Sequence, residues 1–198
     1  MFAVLAEDHS DVDSLAVLIK RISGMNNATV QRKGFSGCGE LCRKAWSHIQ
    51  EFADKGATHF IVCHDSDGND PVEIKKKVLE CVGARIIVPK NCCIVVPVQE
   101  LEAWIIADEE AIHKAIPSLL IRPVASPEAV TSPKEWLVNE SRRGRSRPLY
   151  VPTIHNVKVA EHLDLKKVER KCPSFCDLVA FVSPPKSGDG SPGVESRE

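Results

Sequence analysis

Residues 60–71, "FIVCHDSDGNDP", end an apolar, strand-forming run in three carboxylates, Asp65, Asp67 and Asp70. Like charges crowded at one strand end repel one another, and a divalent cation offsets that cost. Glu7 closes an earlier apolar run, "FAVLA", and Asp11 follows four residues later. Magnesium takes hard oxygen ligands in near-octahedral geometry and keeps several waters, so two or three carboxylates suffice to hold it. Two such ions activate a water and stabilise the leaving oxygen in phosphodiester cleavage. Glu100 and Glu102, in "VQELEAW", follow another strand-like run. They either complete a second metal position or favour the N-terminus of the next helix. A polar turn has the same composition as "DSDG". The stretch also begins like a calcium loop, but the twelfth position, where a bidentate Glu belongs, is Lys76.

The elements that must position these acids are legible from periodicity. "FAVLA" is a short buried strand, and from Asp11 onward Val12, Leu15, Leu18, Ile19 and Ile22 fall at helical spacing. "ATVQRK" alternates weakly as a second strand, and "ELCRKAWSHIQEFADKG" is an amphipathic helix stopped by Gly56. "THFIVCHD" is a strand, and "PVEIKKKVLECVG" is a helix opened by Pro71. "ARIIVP" and "CCIVVPV" read as two further strands, and "ELEAWIIADEEAIHKAI" as one helix. This alternation predicts an α/β fold with a largely parallel sheet flanked by helices, over residues 1–116. In such sheets ligands bind beyond the carboxyl ends of the strands, where Glu7, Asp65 and Asp67 stand. Residues 117–182 are broken by prolines and read as a C-terminal helical extension packed on that core. The Ser-, Pro- and Gly-rich residues 183–198 are expected to be disordered.

Composition bounds the function. The chain has 198 residues with 26 Lys and Arg against 27 Asp and Glu, so it has no global basic field. A local groove or a partner would have to supply the charge that holds nucleic acid. Arg142, Arg143, Arg145 and Arg147 form the densest basic cluster, either a phosphate clamp or a solvated loop. No apolar run nears the roughly 20 residues that span a bilayer, and a soluble, cytoplasmic protein is expected. Eight cysteines, mostly beside apolar neighbours, are read as buried reduced thiols, because "CGELC" and "CPSFC" miss the usual C-x2-C zinc pairing. His9 and His64 adjoin candidate ligands, which on a strand means pointing away from them. Trp104 and Trp136 are read as core. No P-loop, dinucleotide fingerprint or nucleophile elbow occurs.

Glu7, Asp11 and the strand-terminal "DSD" resemble the Toprim signature of topoisomerases, primases and overcoming-lysogenization-defect nucleases. More closely, "DSDG", "ELEAWIIAD", "SPKEWL" and "CPSF" with "LVAFV" resemble the Toprim-like domain-of-unknown-function family 4276, over residues 2–182. The resemblance implies a Toprim-like fold and a magnesium- or manganese-dependent nuclease, acting on DNA before RNA. It also implies a bacterial defence setting with an ATPase partner. On it, Glu7, Asp65 and Asp67 would be catalytic, and Asp11, Glu100 and Glu102 would be supporting metal ligands. Lys33, Lys90, Arg142, Arg143 and Arg145 would contact nucleic acid. Where Toprim nucleases show Glu-Gly after the first strand, this chain has Glu7-Asp8. A homodimer, a non-catalytic metal- or nucleic-acid-binding subunit and a phosphohydrolase of small nucleotides are the other readings carried forward.

Overall fold

Strand β1 (Phe2–Ala6) is five consecutive buried residues, as a strand covered on both faces requires. The computed structural model describes residues 1–83 and 91–184. In it β1 pairs in parallel with β2 (Val30–Gly34) on one side and β3 (His59–Cys63) on the other. β4 (Cys92–Val95) pairs in parallel with β3, giving the order β2-β1-β3-β4. Side-chain alternation splits the strands between two cores. Phe2, Val4, Ala6, Ile61, Cys63 and Val95 face one, and Ala3, Leu5, Phe60, Val62 and Ile94 face the other.

Helices cover both faces. α2 (Cys38–Asp54) and α3 (Pro71–Gly83) close the second core through Leu41, Ala45, Ile49, Phe52, Val78 and Val82. The first core holds α1 (His9–Ser23), α4 (Glu102–Ile106) and α5 (Glu109–Ala115). The remaining helices join it: α6 (Pro133–Arg142), α7 (Pro152–Ala160), α8 (Leu165–Lys171) and α9 (Pro173–Val182). The C-terminal helical region therefore shares a hydrophobic core with β1 and α1. Trp104 is fully buried edge-on to Phe175, ring centroids 5.0 Å apart, and its Nε1 donates to Ser174 Oγ at 2.8 Å. Trp136 packs half-buried against the same core.

Three expectations need correction. α1 begins at His9 rather than Asp11, because the Asp8 carboxylate caps it, accepting from Ser10 N at 2.8 Å. The single helix expected over "ELEAWIIADEEAIHKAI" is two, because Asp108 caps α5 and accepts from Lys167 Nζ at 2.9 Å and Asp164 N at 2.8 Å. "CCIVVPV" is a strand only over Cys92–Val95, since Pro97 has no N–H to give a ladder. "ARIIVP" and the tail from residue 185 onward lie outside the described residues. Among the described residues no helix is long and apolar enough to cross a membrane.

Gly34 sets how closely the end of β2 approaches the start of α1. A Cβ there would lie 2.7 Å from His9 Cα and 2.8 Å from His9 N. Gly34→Ala should therefore cost about 1–3 kcal/mol of unfolding free energy in urea. Gly39→Ala, inside α2 and 3.6 Å from only the flexible Arg43 tip, should gain about 0.5–1 kcal/mol.

Candidate metal centre

The sheet order reverses direction between β1 and β3, and the candidate site lies beyond the carboxyl ends of these two strands. Ala6 and Cys63 are paired as the last residues of their strands, so Glu7 and His64 leave the sheet at the same level. The β3–β4 pairing runs on past the strands: His64 N donates to Val95 O at 3.1 Å, Ser66 N to Pro97 O at 3.1 Å and Asp67 N to Gln99 O at 3.0 Å. That extension carries residues 100–102 back over Asp65. Asp65 is tied both ways, its N–H donating to Glu7 Oε1 at 3.1 Å and its Oδ1 accepting from Leu101 N at 3.1 Å.

Two further acids converge from helix starts. Asp11, in the first turn of α1, is 5% exposed, and Glu102, first residue of α4, is 0% exposed. Glu102 Oε1 accepts from Asn156 Nδ2 at 3.0 Å and lies 3.8 Å from Lys134 Nζ. Asn156 Oδ1 in turn accepts from the buried Tyr150 hydroxyl. Glu102 Oε2 is buried with no hydrogen-bond partner among the described residues. Lys134 follows Pro133 at the start of α6, and its backbone N–H donates to Glu100 Oε2 at 2.9 Å.

The acids resist ionising together. Burial, then Glu102, pushes Asp11 up to about 7, with Lys134 pulling the other way. Burial also lifts Asp65 well above the carboxylate range, and the charges of Asp11, Glu102 and Glu7 add to it. Glu102 is raised by burial against the pull of Lys134 and the Asn156 amide. Burial alone would lower Lys134, but Glu102, Asp11, Glu100 and Asp65 outweigh it and hold the ammonium charged. Among the described residues, one lysine against so many carboxylates leaves negative charge that protons or a cation must balance. All-oxygen donors and, among the described residues, an unpartnered buried Glu102 oxygen suit a hard divalent cation such as Mg2+ or Mn2+. Among the described residues no three of these acids bring ligand oxygens within 4.8 Å of one another, so the carboxylates must draw together to hold it.

The three acids of the opening motif have separate placements. Asp65 joins the cluster with Glu7, Asp11 and Glu102. Asp67 is exposed, at φ 47 in a turn continued by Gly68. It lines an open cleft of about 410 Å³ with Gln99, Glu100, Thr131 and Ser132. Asp70 heads α3, accepting from Val72 N at 2.9 Å. Lys33, on edge strand β2, lies 5.5 Å over the Phe35 ring, and Lys90 is outside the described residues. Arg142, Arg143 and Arg145 are exposed at the far end of α6, with Arg143 paired to Glu140 at 2.5 Å and Arg145 donating to Ser118 O at 3.3 Å. At 1.5 Å per residue, Arg142 is about 12 Å along the helix from Lys134.

Sequence reasoning missed Lys134, Asn156 and Tyr150. Pro133 marks a helix start and offered a signal for Lys134, but nothing local marks the other two. His64 is expected to point away from its sequence neighbour Asp65, which leaves it free to meet an acid of another strand. Its Nδ1 lies 2.7 Å from Glu7 Oε1, because Glu7 follows the neighbouring strand β1, whose end is level with that of β3. Burial alone would lower the His64 pKa, but the Glu7 hydrogen bond, the Asp65 carbonyl and nearby carboxylates raise it. Cys63 and Cys172 are buried as expected, whereas Cys38 and Cys176, each in the first turn of a helix, are exposed.

The cluster makes stability depend on pH in a defined direction. Between its ordinary 3.8 and about 7, native Asp11 keeps a proton that the unfolded chain has released. Its contribution to stability is therefore present at low pH and lost as pH rises. Relative to wild type in a chelator, Asp11→Asn should gain stability between pH 4 and 7, on the order of 2 kcal/mol, and level off above. Thermal melts should also show a larger stabilisation of wild type by Mg2+ at pH 8 than at pH 4. Equal stabilisation at both would remove the cluster as the cation site.

The profile of a family described as Domain of unknown function (DUF4276) matches residues 6–183, from the last residue of β1 through α9. That span includes Glu7, Asp11, Asp65, Glu102 and Lys134. No curated protein matches the chain, and no solved structure does. With the match covering both helical layers and the whole acidic edge, the chain belongs to the DUF4276 family.

Proposed function

We propose that this protein is a divalent-cation-dependent phosphodiesterase of Toprim type, cleaving nucleic acid, DNA before RNA. The observation that carries the reading is the convergence of half-buried Asp65 with the buried Asp11 and Glu102 at the switch point of the sheet, with one oxygen of Glu102 unpartnered among the described residues. Glu7, Asp11, Asp65 and Glu102 would hold Mg2+ or Mn2+, with Asp67 and Glu100 lining the adjoining cleft. When bound, the ion supplies Lewis-acid polarisation of a phosphoryl oxygen and a more acidic water.

The chain's own residues do the rest. Lys134, charged and with its side chain 36% exposed, offers a positive group to phosphate oxygens entering beside Glu100. His64 Nδ1 and the Asp65 N–H both hold Glu7 Oε1 and so fix that carboxylate's direction. The arginines at the end of α6, about 12 Å from Lys134, stand three to four nucleotide steps away at 3.4 Å each. That spacing suits a polymer whose flanking phosphates are held while one is cleaved, and favours it over a free nucleotide. An ATPase partner in a defence system would supply charge that a chain of net −1 lacks.

One observation favours a second reading, a non-catalytic metal-binding subunit of a larger complex. Glu102 is completely buried, as a ligand to a structural cation would be. Cleavage of supercoiled plasmid in Mg2+ or Mn2+ separates the two. The nuclease reading expects nicking by wild type, abolished in Asp65→Asn, and slowed about 10²–10³-fold in Lys134→Met. Folded, cation-binding protein that cleaves neither duplex DNA, single-stranded DNA nor RNA would leave the second reading.

A further inference from the structure

A cluster of different chemistry adjoins the all-oxygen one. The β1–β2 pairing continues beyond the strands, with Phe35 N donating to Ala6 O at 3.0 Å and Gly37 N to Glu7 O at 3.1 Å. Gly37, at φ 92, turns the chain into α2, and Cys38 thereby arrives at the end of β1. One ligand atom from each of Glu7, Cys38 and His64 lies within 4.8 Å of the other two.

The hydrogen bonding of His64 bears on what this group can bind. Its Nδ1 lies 2.6 Å from Asp65 O and 2.7 Å from Glu7 Oε1. Both are acceptors, so Nδ1 carries the proton. Nε2 is buried without a hydrogen-bond partner among the described residues, on a side chain only 6% exposed. Glu7 reaches the ring at Nδ1, so Nδ1 is the nitrogen that can share an ion with that carboxylate, its proton moving to Nε2 as the other neutral tautomer. A thiolate, an imidazole and a carboxylate form a borderline-soft set, suited to zinc rather than magnesium. Neither Cys42 nor a C-x2-C pair is needed, because the ligands come from three separate elements.

We propose that Glu7, Cys38 and His64 form a second cation position, selective for a zinc-class ion, with three protein ligands and the fourth position open. Binding replaces the Cys38 thiol proton, which is released to solvent. Glu7 stands between this position and the Asp11–Asp65–Glu102 cluster. The chain thus presents a hard and a borderline site side by side, and their loading can be read separately.

Cobalt is the probe. Metal-free full-length protein titrated with Co2+ should develop thiolate-to-cobalt charge-transfer absorption with one equivalent, lost on adding Zn2+ but not on adding excess Mg2+. The band should be absent in Cys38→Ser, weakened at least ~10-fold in apparent affinity in His64→Gln, and retained in Asp11→Asn. Cys38 is exposed, so its serine variant should melt like wild type by circular dichroism. No thiolate band in wild type would overturn the proposal. So would a band that persists in Cys38→Ser, since the thiolate would then belong to another cysteine.

Discussion

The parallel pairing of β1 with β3 is the constraint on which the rest of this molecule depends. Both strands are buried on both faces and their ends are level, Ala6 against Cys63. β2 pairs on the outer side of β1 and β4 on the outer side of β3, so successive crossovers leave this pair in opposite directions. The gap they leave at the carboxyl edge is therefore a consequence of strand order. Whatever residues follow β1 and β3 must meet there, and Glu7 and Asp65 do, joined by a hydrogen bond from the Asp65 backbone.

Gathering acids at that gap works against folding. Asp11 and Glu102 are almost wholly enclosed, and each neighbouring carboxylate makes the next harder to ionise. Lys134 offsets part of this, and the Tyr150–Asn156 chain gives one Glu102 oxygen a donor. A hydrophobic set of similar volume would fold at lower cost. Local sites that oppose stability in this way are where ligands are bound. The helices that carry Lys134 and Asn156 both lie in the C-terminal region and share the core of β1 and α1. The acidic edge and the helical extension are thus one construction, with the extension supplying the donors that let the sheet keep its acids.

The fold was largely legible in the sequence, and the site partly so. Apolar runs such as "FAVLA" and "FIVC" between helical periodicities can only be buried strands joined by crossovers, which forces a parallel sheet. Boundaries slipped where a side-chain cap intervened, as Asp8 did for α1 and Asp108 for α5, since a cap is a contact rather than a pattern. The identities of Glu7, Asp11, Asp65, Glu100 and Glu102 as edge acids followed from their positions after strands. The division of labour among Asp65, Asp67 and Asp70 did not, because a turn, a helix cap and a carboxylate tied across the sheet edge have the same composition.

Amino-acid sequence alone determined the α/β class, the strand ends at which acids collect, and membership of a family whose span runs from β1 to α9. Local spacing carries that much, because strand and helix periods are properties of neighbouring residues. Only the tertiary structure decided that Lys134, Asn156 and Tyr150 reach the acids from the C-terminal helices, and that Cys38 and His64 meet at Glu7. Those encounters join residues far apart in the chain, and nothing in a one-dimensional pattern records which faces will be brought together when two cores close on one sheet.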